Sequence, residues 1–206
     1  MQDYAAKQAA RDSVAKALQA ANPKLVAVGK DWGKNDSLNA AAKNIRIELK
    51  AAFPGVKFSV KSSRFSMGDS IDVSWIDGPN AAQVDAIIDR YQAGSFNGME
   101  DLYEYSRDAW KDAFGDAKYV HSRRGLSDKT MEAAIRTVKA QYAGNLSARG
   151  LEGINVADYR AGKYRDLDIM GCGSVYWALD SIIYRAAAKR SWAINKSAKQ
   201  YEVVEA

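Results

Sequence analysis

The chain carries one histidine, His121, and one cysteine, Cys172, so it offers few groups for nucleophilic chemistry. A nucleophile needs a base beside it. His121 stands next to Ser122 and ahead of Arg123-Arg124, yet a Ser–His pair would also need a distant acid and an oxyanion hole, and neither is visible. A histidine in a basic surface loop accounts for it. Cys172 lies in Gly171-Cys172-Gly173-Ser174, read here as the start of the last helix. A helix N-terminus lowers a thiol pKa, whereas a small cysteine buried between turn glycines is the plain structural alternative. The same glycines supply part of a phosphate cradle. The third glycine of a dinucleotide fingerprint is missing, however, and no Gly-Lys-Ser/Thr loop occurs. Asp166 with Asp168, or Asp69 with Asp72, would need a third carboxylate to hold a cation, and no calcium-loop spacing supports one. Solvated charges explain all four. Nothing favours two-carboxylate glycosidase chemistry. One cysteine and one histidine cannot complete a zinc site, and a single cysteine excludes an intrachain disulfide. No catalytic residue, metal or cofactor is therefore expected, and the chain reads as a non-enzyme.

Three basic features remain, each suited to nucleic-acid contact. Lys57 and Lys61 alternate along a strand that starts near Val56, with Arg64 in the turn after it, so they could form one stripe over a sheet. Arg123 and Arg124 sit in a loop. The segment Tyr159-Arg160-Ala161-Gly162-Lys163-Tyr164-Arg165 interleaves two tyrosines with three cations. Rings that stack on bases beside cations that hold phosphates are what single-strand binding requires. The alternative for each is a solvated face with tyrosines packed on their neighbours. Asp72 opposes the strand stripe if the two strands pair as expected, which weakens that candidate.

The charge balance agrees without compelling this reading. The 206 residues carry 30 Lys and Arg against 25 Asp and Glu, a net +5. Residues 1–54 hold nine basic and five acidic groups, 55–106 four and eight, and 107–206 seventeen and twelve. The ends are thus basic and the middle acidic. A positive surface attracts polyanions by counterion release, though an excess this small does not demand a polyanionic partner. Apolar residues at 47% and only three prolines fit a globular protein with a sizeable core. No apolar run approaches the ~20 residues of a membrane span, and no basic-then-apolar leader is seen. A cytoplasmic protein without a membrane partner is the simplest expectation.

The elements that must position these residues follow from periodicity. Residues 3–21 read as a helix with a thin apolar stripe of Tyr4, Val14 and Leu18, stopped at Asn22-Pro23, suited to a loose arm or a partner-binding helix. Lys24–Val28 reads as a short strand, and 29–35 as a loop containing Trp32. Asp36 or Ser37 caps a helix to about Phe53, with Leu38, Ala42, Ile45 and Leu49 on one face. Pro54-Gly55 ends it. Val56, Phe58 and Val60, then Ile71, Val73 and Trp75, alternate as two strands, expected to pair antiparallel around a Met67-Gly68-Asp69 turn. Asp77-Gly78-Pro79-Asn80 turns into a helix that buries Val84, Ile87, Ile88 and Tyr91. A glycine loop at 94–98, a helix at 99–113, a strand at 118–120 and the basic loop 121–125 follow. Ser127 caps a helix to about Tyr142, with Met131, Ile135 and Val138 inward. Ala143–Gly153 is the expected boundary. A short helix near 155–161, a turn at 171–173, an amphipathic helix at 174–190 with Val175 and Leu179 inward, and a frayed tail complete the chain. The fold class is α+β: a small antiparallel sheet in an α-β-β-α unit, covered by helices, with a helical C-terminal extension. The expected parts are an arm at 1–35, the α+β domain at 36–143 and the extension at 144–206.

Three stretches are distinctive: Leu49-Lys-Ala-Ala-Phe-Pro-Gly-Val-Lys-Phe-Ser-Val60, Ser70-Ile-Asp-Val-Ser-Trp-Ile-Asp-Gly-Pro79 and Gly94-Ser-Phe-Asn-Gly-Met99. Together they resemble a large polyvalent-protein-associated domain, number 29 of that series, over about residues 36–140. Phe114-Gly-Asp-Ala-Lys-Tyr-Val120, followed by an arginine and a serine-capped helix, resembles what often follows such domains. The resemblance does not extend to residues 145–206. The resemblance implies an accessory module of phages and conjugative elements, delivered with invading DNA and acting in the cytoplasm of the host bacterial cell. It implies no reaction: the motifs serve a fold, with Trp75 packing on helices and Gly78-Pro79 shaping a turn. Two partners are compatible with it: DNA or RNA, bound to protect or process incoming DNA, or a host restriction or CRISPR effector that the protein blocks. A basic protein makes a poor DNA mimic, so a blocker would cover a site through its first or last helix. Oligomeric state is left open by the sequence.

Overall fold

The computed structural model describes residues 2–29, 36–106, 108–194 and 201–205. The expected 29–35 loop with Trp32 lies almost wholly outside them. The chain divides into two compact units, Met1–Trp75 with Ala81–Arg123, and Ile76–Asn80 with Arg124–Ala206. The 143/144 boundary expected from composition falls inside the second.

In the first unit, α1 (Gln2–Ala21) is no loose arm. It buries Ala15 and docks on the later helix through Arg11, whose Nη2 donates to Asp112 Oδ2 at 2.7 Å. The strand expected at 24–28 does not form. That segment is held instead by the fully buried Asn44, which accepts from Val26 N at 2.6 Å and donates to Val26 O at 2.9 Å and Phe114 O at 3.0 Å. An amide with both ends satisfied replaces a ladder partner. Helix α2 (Ser37–Ala52) starts where Asp36 accepts from Asn39 N and buries Leu38, Ala42, Ile45 and Leu49 as their spacing requires.

Strands β1 (Ser59–Phe65) and β2 (Gly68–Ile76) pair antiparallel, Val60 opposite Val73 and Lys61 opposite Asp72. The turn is one step earlier than expected, at Ser66-Met67, so Gly68 already belongs to β2. Helix α3 (Ala81–Ile88) and a 3₁₀ turn at Asp89–Tyr91 bury Val84, Ile88 and Tyr91. The Tyr91 hydroxyl donates to Glu48 Oε2 at 2.6 Å. Burial, this bond and the carboxylate's charge push its pKa far up, so it stays a donor.

The Gly94–Gly98 loop and the helix expected from 99 are instead a hairpin, β3 (Gly94–Asn97) antiparallel to β4 (Leu102–Tyr105). Helix α4 is short, Ala109–Phe114, capped by Asp108. Strand β5 runs Tyr119–Gly125 and completes a sheet of order β1-β2-β5. The basic stretch 121–125 is thus strand, not loop. Ile45, Leu49, Ile71, Val73, Trp75, Phe114 and Val120 pack into one core, with Trp75 against Phe58 and the helical layer as expected.

The second unit has its own core of Met131, Ile135 and Val138 from α5 (Asp128–Gln141), Leu146 from α6 (Ala143–Ser147), Ile154, Tyr164, Ile169, and Leu179, Ile182, Ile183 and Ala187 from the last helix. Helix α7 covers Val156–Arg160. The final helix begins later than expected: α8 is Leu179–Lys189, while Val175 lies exposed in a 3₁₀ turn. The tail is not frayed throughout, since β6 (Arg190–Ile194) pairs antiparallel with β7 (Tyr201–Glu205). Helices and small sheets together make this an α+β protein. Among the described residues no helix is long and apolar enough to cross a membrane.

Candidate nucleic-acid interface

The basic residues singled out by sequence fare differently. Arg124 is a structural residue. Its guanidinium is half-buried and donates from Nε to Asp77 O at 3.2 Å, from Nη1 to Ala188 O at 3.0 Å, and from Nη2 to Gly78 O at 3.1 Å and Arg190 O at 2.7 Å. Loss of hydration pulls its pKa down, offset in part by the charge of Asp77. The Asp77 carboxylate accepts from Ser127 N at 2.9 Å, and Asp77 and Gly78 both take the positive φ that such a reversal needs. The distinctive Asp-Gly-Pro turn and the arginine and serine downstream thus form one hydrogen-bonded knot.

The 159–165 segment is largely consumed by its own unit. Tyr164 is buried, accepts from Asn155 N at 2.9 Å, and its pKa is raised by burial. Tyr159 packs against the core and is likewise raised by burial, then by Asp180. Arg160 donates to Leu126 O at 2.6 Å and pairs with Asp128 at 3.2 Å. Lys163 pairs with Asp158 at 2.5 Å, which holds the lysine up and the carboxyl down. Arg165 alone stands exposed without a partner among the described residues. One ring is buried, the other is half-buried against the core, and two of the three cations pair with carboxylates.

The lysine stripe is also broken up. Lys57 is exposed but precedes β1, and Lys61 stands opposite Asp72. Arg64 lies within β1 rather than in a turn. Its position has the opposite parity to Lys61, and it pairs with Asp36.

What the structure assembles instead is a row of rings on the sheet face away from the core. In β5, Val120 points inward and buries, so Tyr119, His121 and Arg123 share the outer face. The Tyr119 and His121 rings stack at 6.0 Å with planes 10° apart, and Phe65 stacks on Tyr119 from the far edge at 6.3 Å and 18°. Phe65 reaches across β2 because its register partner is Gly68, which has no side chain to intervene. A Cβ at Gly68 would lie 2.6 Å from Lys118 Cδ, and its φ of +152° suits glycine. Tyr103 of β4 meets Tyr119 edge-on at 5.7 Å, and Tyr105 meets Tyr103 at 4.8 Å. Burial and the neighbouring tyrosines push the Tyr103 pKa up to about 12. Lys118 Nζ sits over the Tyr103 and Tyr119 rings at 5.2 and 5.4 Å. Phe65 is 47% and Tyr105 66% exposed. Arg123 and His121 are exposed, and Arg123 has no partner among the described residues. Of the residues named from sequence, this face carries Arg123 on β5 and Lys61 on β1, with β2 between them. The Tyr119-x-His121-x-Arg123 alternation that marks it is present in the sequence.

Elsewhere, two of the carboxylates considered for a cation accept backbone hydrogen bonds. Asp168 accepts from Met170 N at 2.8 Å, Gly171 N at 3.0 Å and Gly173 N at 2.6 Å. Partial desolvation raises its pKa, but the backbone donors together outweigh this and hold the carboxyl below its ordinary value. Asp69 accepts from Lys118 N at 2.7 Å. Cys172 is exposed in a bend ahead of the 3₁₀ turn, neither buried nor on a helix N-terminus. Among the described residues no three metal-ligating side chains converge.

The first unit is therefore a two-layer α+β domain whose open sheet face carries rings and cations. Residues 36–127 match the family model described as Large polyvalent protein associated domain 29, so this part of the chain is similar to that domain. The match ends at the capping Ser127 rather than near residue 140. No curated protein and no solved structure matches the chain.

Proposed function

We propose that this is a non-enzymatic accessory protein of a phage or conjugative element that binds single-stranded DNA or RNA and so protects or processes incoming DNA. The observation that carries the reading is the ring row Phe65–Tyr119–His121 beside the uncommitted Arg123. Sheet-borne aromatics stack bases with little regard to sequence, and adjacent cations take the phosphates. The mobile-element setting comes from the polyvalent-protein association of the domain. Asp72 lowers the potential beside Lys61, which favours a short site over a long groove.

The test is fluorescence anisotropy with labelled single- and double-stranded oligonucleotides at about 50 and 200 mM salt. Single strands should bind more tightly, and binding should fall at the higher salt. Loss of one base stack costs ~1–3 kcal/mol, so Tyr119→Ala or Phe65→Ala should weaken binding about fivefold to over a hundredfold. Arg160→Ala with Arg165→Ala should change it little. Equal loss in that double variant and none in the ring variants would move the site. Absence of binding at either salt would favour blockade of a host defence protein. That second reading is favoured by the exposed apolar side chains of Met67, Phe96 and Met99, the last 98% exposed.

A further inference from the structure

We propose that the second unit holds a separate site for a nucleoside phosphate, in a cleft lined by α5, α8 and the 3₁₀ turn between Ser174 and Ala178. The cleft has a volume of about 290 Å³, at the small end of ligand pockets. Its wall combines rings from Tyr142, Tyr176 and Trp177 with the cations Arg185 and Lys189, and no carboxylate lines it among the described residues. Arg185 is the central group. Its guanidinium lies 3.7 Å from the centre of the Tyr176 ring, which fixes its plane without using its N–H donors. Those donors meet no carboxylate or carbonyl among the described residues. Lys189 is exposed and equally uncommitted. Arg190 takes a different part: it donates to Thr137 Oγ1, and its carbonyl accepts from Arg124. Tyr176 and Trp177 meet edge to face at 89°, and both line the cleft. Cations that meet no counter-charge among the described residues select an anion, ring walls select a planar group, and the volume admits one such unit. A nucleotide joins all three, and it arrives either free or as the phosphorylated end of a strand. The inference does not rest on the sheet face, which belongs to the other unit.

Isothermal titration of the full chain with AMP, adenosine, inorganic phosphate and a 5′-phosphorylated dinucleotide tests it. AMP should bind saturably and more tightly than adenosine or phosphate alone. Tighter binding of the dinucleotide assigns the site to a strand end, and equal or weaker binding to the free nucleotide. Arg185→Ala should weaken AMP binding about tenfold, as loss of one charge-assisted contact implies. Arg185→Lys should recover part of that loss, and Tyr119→Ala should leave AMP binding unchanged. Circular dichroism confirms that the variants fold. No saturable AMP binding, phosphate binding as tightly as AMP, or wild-type affinity in Arg185→Ala would each overturn the proposal.

Discussion

Removing the Arg124 side chain should destabilise the second unit while leaving nucleic-acid affinity intact. The guanidinium joins carbonyls from the 77–78 turn to those of Ala188 and Arg190 at the end of α8. A hydrogen bond from a charged donor contributes ~1.5–3 kcal/mol net, and stranded acceptors add a penalty where water cannot follow. Summing four such bonds overstates the effect. The pair to Asp77 and Gly78, at 3.2 and 3.1 Å, is longer, and the site is half-exposed, so water replaces part of what is lost. Counting the two shorter bonds, to Arg190 and Ala188, puts Arg124→Ala at about 3 kcal/mol, roughly a 150-fold shift in the folding constant. Each unit has its own core, so one global transition would blur the result. Hydrogen exchange resolved by peptide is the better assay. Protection across α5 and α8 should fall by that factor, with α2 as internal reference. Arg124→Lys keeps a charge but not the fork, and should recover less than half. If Arg124→Ala left α5 and α8 protected while weakening oligonucleotide binding, the residue would be an interface cation and the argument from its four carbonyls would fail.

Two further outcomes follow from single positions. A Cβ on Gly94 would lie 1.9 Å from Glu104 O, so Gly94→Ala should part β3 from β4 at a cost of about 2–3 kcal/mol. Amide exchange at Phe96 and Tyr103 reads this, and Gly98→Ala, whose nearest neighbour would be 3.9 Å away, should be neutral. The Asp168 carboxyl is held below the ordinary aspartate value by its backbone donors, so its support of the 168–173 turn is fully present above the unfolded pKa, about 3.9. That support disappears as pH falls through the lower folded value. Carbon-detected titration of Asp168 with amide exchange at Gly171 and Gly173 checks the sign, and Asp168→Asn should show the loosened turn at neutral pH.

Periodicity and capping carried much of the fold. Asp36 and Ser127 cap where their spacing placed them, and the apolar faces of α2, α5 and α8 bury much as their three-to-four-residue repeats require. The β1–β2 pairing, with Lys61 opposite Asp72, and the burial of Trp75 were equally legible, because these are local patterns read against a single core. The distinctive motifs marked the domain for the same reason: they encode turns and packing that one stretch of chain specifies. The β3–β4 hairpin was not legible, since two strands of four residues each are too short to show a clear alternation and form by pairing across the Asn97–Leu102 turn. The site was legible only in part. A run such as His121-Ser-Arg-Arg-Gly125 looks like loop until β2 offers it an edge. Only that pairing turns alternate residues into a face, carrying Arg123 outward while Arg124 is spent on carbonyls. The tyrosines and cations of 159–165 show the converse: their interleaving is a property of the sequence, but whether a ring faces water or a core is decided by what packs over it. Composition dictates which chemistry a side chain can offer, and only the long-range contacts of the folded chain decide which of those groups are left with nothing to bind.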